Sequence, residues 1–118
     1  AFTLNASLVA YGAHTGDTNY PDCRPKFAKK LENAFNEGES DGINSKLRKS
    51  IEIWSPYRKG LSKSDLLKTG IKNLGDSIFK TWSCYSNKKY HCGVCESCNN
   101  RKIAFKEAQI KDKTKYLK

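Results

Sequence analysis

Apolar positions change their period along the chain, and each period predicts an element. In SLVAYGAH (Ser7 to His14) Leu8 to Tyr11 form an unbroken apolar run closed by Gly12, which suits a buried strand of a parallel sheet. The following HTGDTNYPDCRP is dense in Gly, Asp, Thr, Asn and Pro and predicts a loop. Phe27, Leu31, Ala34 and Phe35 recur at helical spacing, so 25–37 predicts a helix. Pro25 suits its first turn and Asp22 is a candidate cap. Residues 37–44 are polar with two glycines and predict a second loop. Ile51 and Ile53 alternate within 50–54, a strand that Pro56 ends.

Ser62 opens SKSD, with Asp65 three residues on, in the manner of a capping box. Leu66, Leu67, Ile71 and Leu74 then share one helical face, and Gly75 sits where a helix stops. Ile103, Ala104, Phe105 and Ala108 predict a last helix beginning near Cys95. Strands and helices in alternation predict an α/β layer fold with a parallel sheet. Two strands are too few for a stable sheet, so the pattern implies further strands upstream. The chain starts at Ala1, contains no Met, and is apolar from Phe2 onward, which reads as a segment of something longer. No run approaches the ~18 apolar residues of a transmembrane helix, and no secretory leader pattern is seen, so a membrane-spanning or secreted protein is not expected.

Charge adds less than its size promises. The 118 residues carry 22 basic and 12 acidic side chains, a formal +10. Eighteen of the 22 are lysine, a hydrated point charge, where nucleic-acid readers favour the planar fork of arginine. From Arg101 to Lys118 there are seven basic and two acidic residues, a basic tail. No aromatic-interleaved basic patch of the RNA-binding kind stands out, so a lysine-rich solvated surface is the expectation and direct nucleic-acid binding is not.

Cysteine spacing carries the chemistry. Cys84, Cys92, Cys95 and Cys98 follow C-x7-C-x2-C-x2-C. A C-x2-C turn aims two sulfurs at one centre, and four sulfurs complete the tetrahedral shell of one structural zinc ion. An iron–sulfur cluster would use the same C-x2-C-x2-C, but Asn99, Asn100 and Arg101 stand where ferredoxins place a further Cys and Pro. Disulfides would need an oxidising compartment and a fold built on staples. A redox C-x2-C would not need the remaining two cysteines. His91 beside Cys92 could replace a sulfur. Four thiolates and one divalent ion would bring the formal charge to +8. Cys23 stands apart, as a small loop residue or a thiol near a pocket.

Ligands of open parallel sheets bind in loops after the strands, and His14 to Arg24 is such a loop. It offers Asp17, Tyr20, Asp22 and Arg24 as polar contacts and His14 as a proton carrier.

Three segments in order, YGAHTGDTNYPDCRPKF (Tyr11 to Phe27), SKSDLLKTGIKNLG (Ser62 to Gly75) and TWSCYSNKKYHCGVCESCNNRKIAF (Thr81 to Phe105), closely resemble the 7-cyano-7-deazaguanine synthase (QueC/ExsB) family of queuosine biosynthesis. The resemblance implies part of an adenine-nucleotide α-hydrolase-like fold, an N-type ATP pyrophosphatase with a parallel sheet. It implies a cytoplasmic ligase that converts 7-carboxy-7-deazaguanine and ammonia, with ATP and Mg2+, into the nitrile that feeds queuosine and archaeosine in tRNA. By resemblance Cys84, Cys92, Cys95 and Cys98 hold one structural Zn2+, and Asp17, Tyr20, Asp22, Cys23 and Arg24 help form the substrate pocket. Family members commonly form homodimers. The family's SGGxDS phosphate loop does not occur in this chain. The expected organisation is therefore 1–80 as the C-terminal part of the synthase domain and 81–118 as zinc segment and tail. The ATP-binding half would come from missing sequence or a second chain. A related ligase with a different acceptor, and a stand-alone zinc-binding nucleic-acid module, are the competing expectations.

Overall fold

A computed structural model describes every residue except Asn87 and divides into two compact units, Ala1–Ser62 and Lys63–Lys118. The sequence boundary at 80/81 follows the cysteines, whereas the packing boundary follows a helix that joins the second unit. Among the described residues no helix is long and apolar enough to cross a membrane.

The first unit is a parallel strand pair with helical crossover. Strand β1 (Leu8–Ala10) pairs in parallel with β2 (Glu52–Trp54), in the register Leu8 to Glu52, Val9 to Ile53 and Ala10 to Trp54. The crossover runs through two 3₁₀ turns, Thr15–Asp17 and Pro21–Cys23, then α1 (Pro25–Gly38) and α2 (Ser40–Asn44). Parallel pairing is as expected, but β1 is exposed at all three positions rather than buried. Its apolar run has one neighbouring strand and an open groove beside it, so burial must come from elsewhere. A small core of Ala28, Ile51 and Ile53, backed by Phe2, Tyr11 and Leu31, lies where α1 meets β2.

Two local expectations are corrected. The segment 37–44 is helical rather than a loop, because Ile43 N–H bonds the Glu39 carbonyl and the Ser45 hydroxyl closes on Asp41. Gly42 fits there for packing: a Cβ would press on the Arg48 side chain, which crosses α2 to reach the Phe2 carbonyl. Asp22 does not cap α1. The N-cap is Arg24, without a side-chain bond, and Pro25 has no N–H to satisfy.

Polar residues of α1 seal the outer edge of β2. Asn36 donates to the Ile51 carbonyl and accepts from its N–H, both at 2.9 Å. Glu32, one turn earlier, accepts the Ile53 N–H at 3.0 Å and an Arg58 Nη1 bond at 2.6 Å. Arg58 also donates to the Ile53 carbonyl. These side chains occupy the groups a third strand would use, so the sheet can continue on the β1 side alone.

In the second unit α3 (Lys63–Leu74) packs on α4 (Glu96–Ala108). Leu67, Ala104, Phe105 and Ala108 form its core, with Ile78, Phe79 and Ile110 packed against it. Phe79 stacks on Phe105 at 5.6 Å. Both helices begin and end close to where the apolar period and the flanking Ser62, Gly75 and Cys95 place them.

Candidate metal centre and substrate loop

The four cysteines of the second unit converge. Cys84, Cys92, Cys95 and Cys98 bring their sulfurs within 4.8 Å of one another, with Cys92 and Cys98 at 3.9 Å. Tetrahedral zinc at ordinary Zn–S lengths sets its sulfurs about 3.8 Å apart, so the cluster is near the size of a closed four-sulfur shell. Local chain geometry builds it. Cys95 is the N-cap of α4 and Cys98 lies in its first turn, where amide N–H groups and the helix dipole favour thiolate. The turn before it needs Gly93, whose φ is 80° and whose Cβ would run into the Lys118 backbone carbonyl.

Backbone amides already prepare the sulfurs for negative charge. Cys84 Sγ accepts the N–H groups of Cys92 and Ser86, both at 3.3 Å, and lies 3.1 Å from the Ser86 hydroxyl. The Cys92 amide, then the Ser86 hydroxyl, hold the Cys84 thiol down at about 6. Amides of Tyr85 and Cys98 lower Cys95. Burial pushes Cys98 the other way. Four sulfurs gathered this closely can share one cation, so the donor set fits a soft divalent metal with no open coordination position.

His91 is not part of this shell. It is buried, stacks on Trp82 at 4.2 Å, and its Nε2 accepts the Ser83 N–H at 3.2 Å. Burial, then the charge of Arg101, lowers its pKa and keeps the ring neutral. Arg101 sits deep as well, 3% exposed, with Nε on the Thr114 hydroxyl at 2.9 Å and Nη1 on the hydroxyls of Thr81 and Ser83. Sequence alone counts it as one basic residue of a tail. Two signals set it apart from its lysine neighbours: it is the one arginine after Arg58, and it shares the helical face of Cys98, Ala104, Phe105 and Ala108.

The loop of the first unit splits its five candidates. Asp17 accepts the His14 N–H at 2.8 Å while His14 Nδ1 accepts from Gly16, so both serve a local turn. Arg24 Nε donates to the Thr18 carbonyl at 2.9 Å. Tyr20 is about half exposed. Asp22 and Cys23 border an open groove of about 550 Å3, whose walls include Tyr11, Phe27, Leu31 and Ile53. Burial, then Asp17 and Asp22, raise the Cys23 thiol, which therefore stays protonated. That state suits a wall residue and not an activated nucleophile.

Such features define an α/β protein with a four-sulfur cluster fit to hold a metal. The family described as "Queuosine biosynthesis protein QueC" matches residues 1–109, and the chain belongs to that family. A 7-cyano-7-deazaguanine synthase of Pseudoalteromonas translucida is 38% identical over 117 residues, covering 98% of this chain and 49% of that protein. One from Picrophilus torridus is 43% identical over 98% of this chain and 46% of its own. One from Thermoplasma volcanium is 37% identical, at 100% and 47%. The chain thus spans about half the length of these curated relatives. No solved structure gives a significant match.

Proposed function

We infer that this chain supplies the metal centre and substrate loop of a 7-cyano-7-deazaguanine synthase, and works with a further segment or second chain that carries the phosphate-binding loop. The family match over 1–109 is the observation that carries this reading. Half-length coverage of the relatives supports the need for a complement. So does the asymmetry of the sheet: the Ile51 and Ile53 edge is sealed by Asn36, Glu32 and Arg58, while β1 exposes Leu8 and Val9 beside the groove. The complement would extend the sheet from β1 and cover that groove.

A carboxylate is a poor electrophile, so turning 7-carboxy-7-deazaguanine into a nitrile requires its oxygens to become leaving groups. ATP with Mg2+ from the complement would activate one carboxylate oxygen as an acyl-adenylate, ammonia would displace AMP to give the amide, and a second activation of the amide oxygen would let it leave as the nitrile forms. The residues here would bind and orient. Asp22 at the groove can accept N–H groups of the deazaguanine ring, the Cys23 thiol packs against it, and Arg24 at the loop surface suits the substrate carboxylate or a phosphate. A zinc ion held by Cys84, Cys92, Cys95 and Cys98 would supply shape, not an open site for chemistry. The same reading places a homodimeric enzyme in the cytoplasm.

The test is reconstitution. The chain joined to a segment bearing SGGxDS should convert 7-carboxy-7-deazaguanine, ATP and ammonium to the nitrile, followed by mass spectrometry. Arg24→Ala in that enzyme should lower turnover by about tenfold or more, the scale of a lost charge-assisted contact. No nitrile from a folded, zinc-loaded assembly would overturn the reading.

A further inference from the structure

A second cavity, of about 320 Å3, lies in the unit that holds the cysteines, and none of the four lines it. Lys80, Lys89, Lys113 and Lys115 surround it, with Thr81 and Thr114 between them. Trp82 and Tyr90 give it aromatic walls. Lys89 and Lys115 each bring an ammonium group near the Tyr90 ring, at 5.7 and 5.9 Å from its centroid. Their neutralisation is incomplete. Asp76 pairs with Lys113 at 2.8 Å but is three-quarters exposed. Asp112 is engaged by the Thr114 N–H and the Tyr116 hydroxyl. Among the described residues no carboxylate pairs with Lys80, Lys89 or Lys115.

Behind the wall stands the buried guanidinium of Arg101. It holds the two threonines of the cavity, lies 5.1 Å over the Phe105 ring, and leaves Nη2 buried without a partner. No carboxylate balances it among the described residues, and an uncompensated buried charge is costly. The Thr81 hydroxyl spends its hydrogen on the Ile78 carbonyl, and the Thr114 hydroxyl accepts from Arg101.

We propose that this cavity binds a phosphoryl group, borne by free pyrophosphate or by a nucleotide. Separate lysine point charges arriving from several sides match a tetrahedral oxyanion, while the planar fork that would select a carboxylate is committed behind the wall. The site stands on the second unit alone and does not depend on the synthase reading.

Calorimetric titration of the metal-loaded chain tests it with pyrophosphate, AMP and adenosine as probes. Pyrophosphate, AMP or both should bind and adenosine should not. Preference for AMP assigns the nucleotide source, and preference for pyrophosphate the free anion. Lys89→Gln combined with Lys115→Gln should weaken binding by about tenfold or more, whereas Lys68→Gln, outside the cavity, should leave it unchanged. Undetectable binding of both anions, equal binding of adenosine, or equal loss in Lys68→Gln would overturn the proposal. So would an RNA hairpin that binds through Lys89 and Lys115 and is not displaced by pyrophosphate.

Discussion

The unit ending at Ser62 and the unit beginning at Lys63 have buried apolar cores of similar, small size: Ala28, Ile51 and Ile53 in one, Leu67, Ala104, Phe105 and Ala108 in the other. Each must supplement that core, and they do so differently. The first uses neutral and ionic side chains of one helix to close a strand edge. The second gathers four sulfurs at the start of a helix. Charge follows the same division. Nine basic and seven acidic residues precede Lys63, and thirteen basic and five acidic follow from it. The formal +10 is thus mainly a property of the four-cysteine unit, where the basic cavity lies. A number that looks like a feature of the whole surface belongs to one region, and its function must be sought there.

The contrast breaks most visibly if the metal is removed. A closed four-sulfur zinc site in a small unit contributes about 10 kcal/mol or more to its folding. Chelation, or Cys98→Ser, should therefore erase amide protection across 63–118 while 1–62 keeps its own. Hydrogen exchange read residue by residue checks this. Metal analysis should give one zinc per chain. Iron in its place, or protection that survives without metal, would sink the assignment.

The second unit is the more legible of the two in the sequence, and for a physical reason. C-x7-C-x2-C-x2-C is a local signal: the residues that meet in space are close in the chain, and the turn chemistry of Gly93 lies between them. Helices α1, α3 and α4 are legible for the same reason, since their apolar faces repeat within a dozen residues. The sealing of β2 is not, because Glu32 and Asn36 look like solvent-facing polar positions of an amphipathic helix until a strand fifteen to twenty-one residues away is laid beside them. The exposure of β1 runs against its apolar sequence, which reports a capacity for burial and not a covering layer. Arg101 shares the helical face of Cys98, Ala104, Phe105 and Ala108, so the period marks its position, while its charge argues for solvent and conceals its burial.

Glu32 gives the next largest test, on the other side of the comparison. Its carboxylate is held down at about 2 by hydrogen bonds from Lys29 and then Arg58, from an ordinary 4.5. A lowered carboxylate pKa adds stability that is complete above 4.5 and lost as pH falls toward about 2. Protons also compete with metal for the thiolates. Acid should therefore release the metal and unfold 63–118 first, with 1–62 following at lower pH. Glu32→Gln should cost the first unit about 2 kcal/mol, the scale of a lost hydrogen bond to a charged group, and flatten its acid transition. A fluorescence or NMR titration in which 1–62 unfolds before metal release would reverse the order and refute the account.

The smallest effect concerns the one cysteine outside the cluster. Cys23 is half-buried, and burial together with the carboxylates of Asp17 and Asp22 raises its thiol pKa. The thiolate is the reactive form, so at neutral pH Cys23 should alkylate several-fold more slowly than a free cysteine. Metal-bound sulfurs are shielded, so Cys23 should be the single thiol that reacts before chelation, with the other four following after it. Asp22→Asn removes one of the raising charges and should speed Cys23 modestly without touching the metal. Iodoacetamide labelling read by peptide mass spectrometry separates these cases. Fast alkylation of Cys23 in the metal-loaded chain would contradict the raised pKa and make it an activated thiol beside the groove. Reaction of Cys84, Cys92, Cys95 or Cys98 at the same rate before chelation would show that the two kinds of sulfur do not differ as described.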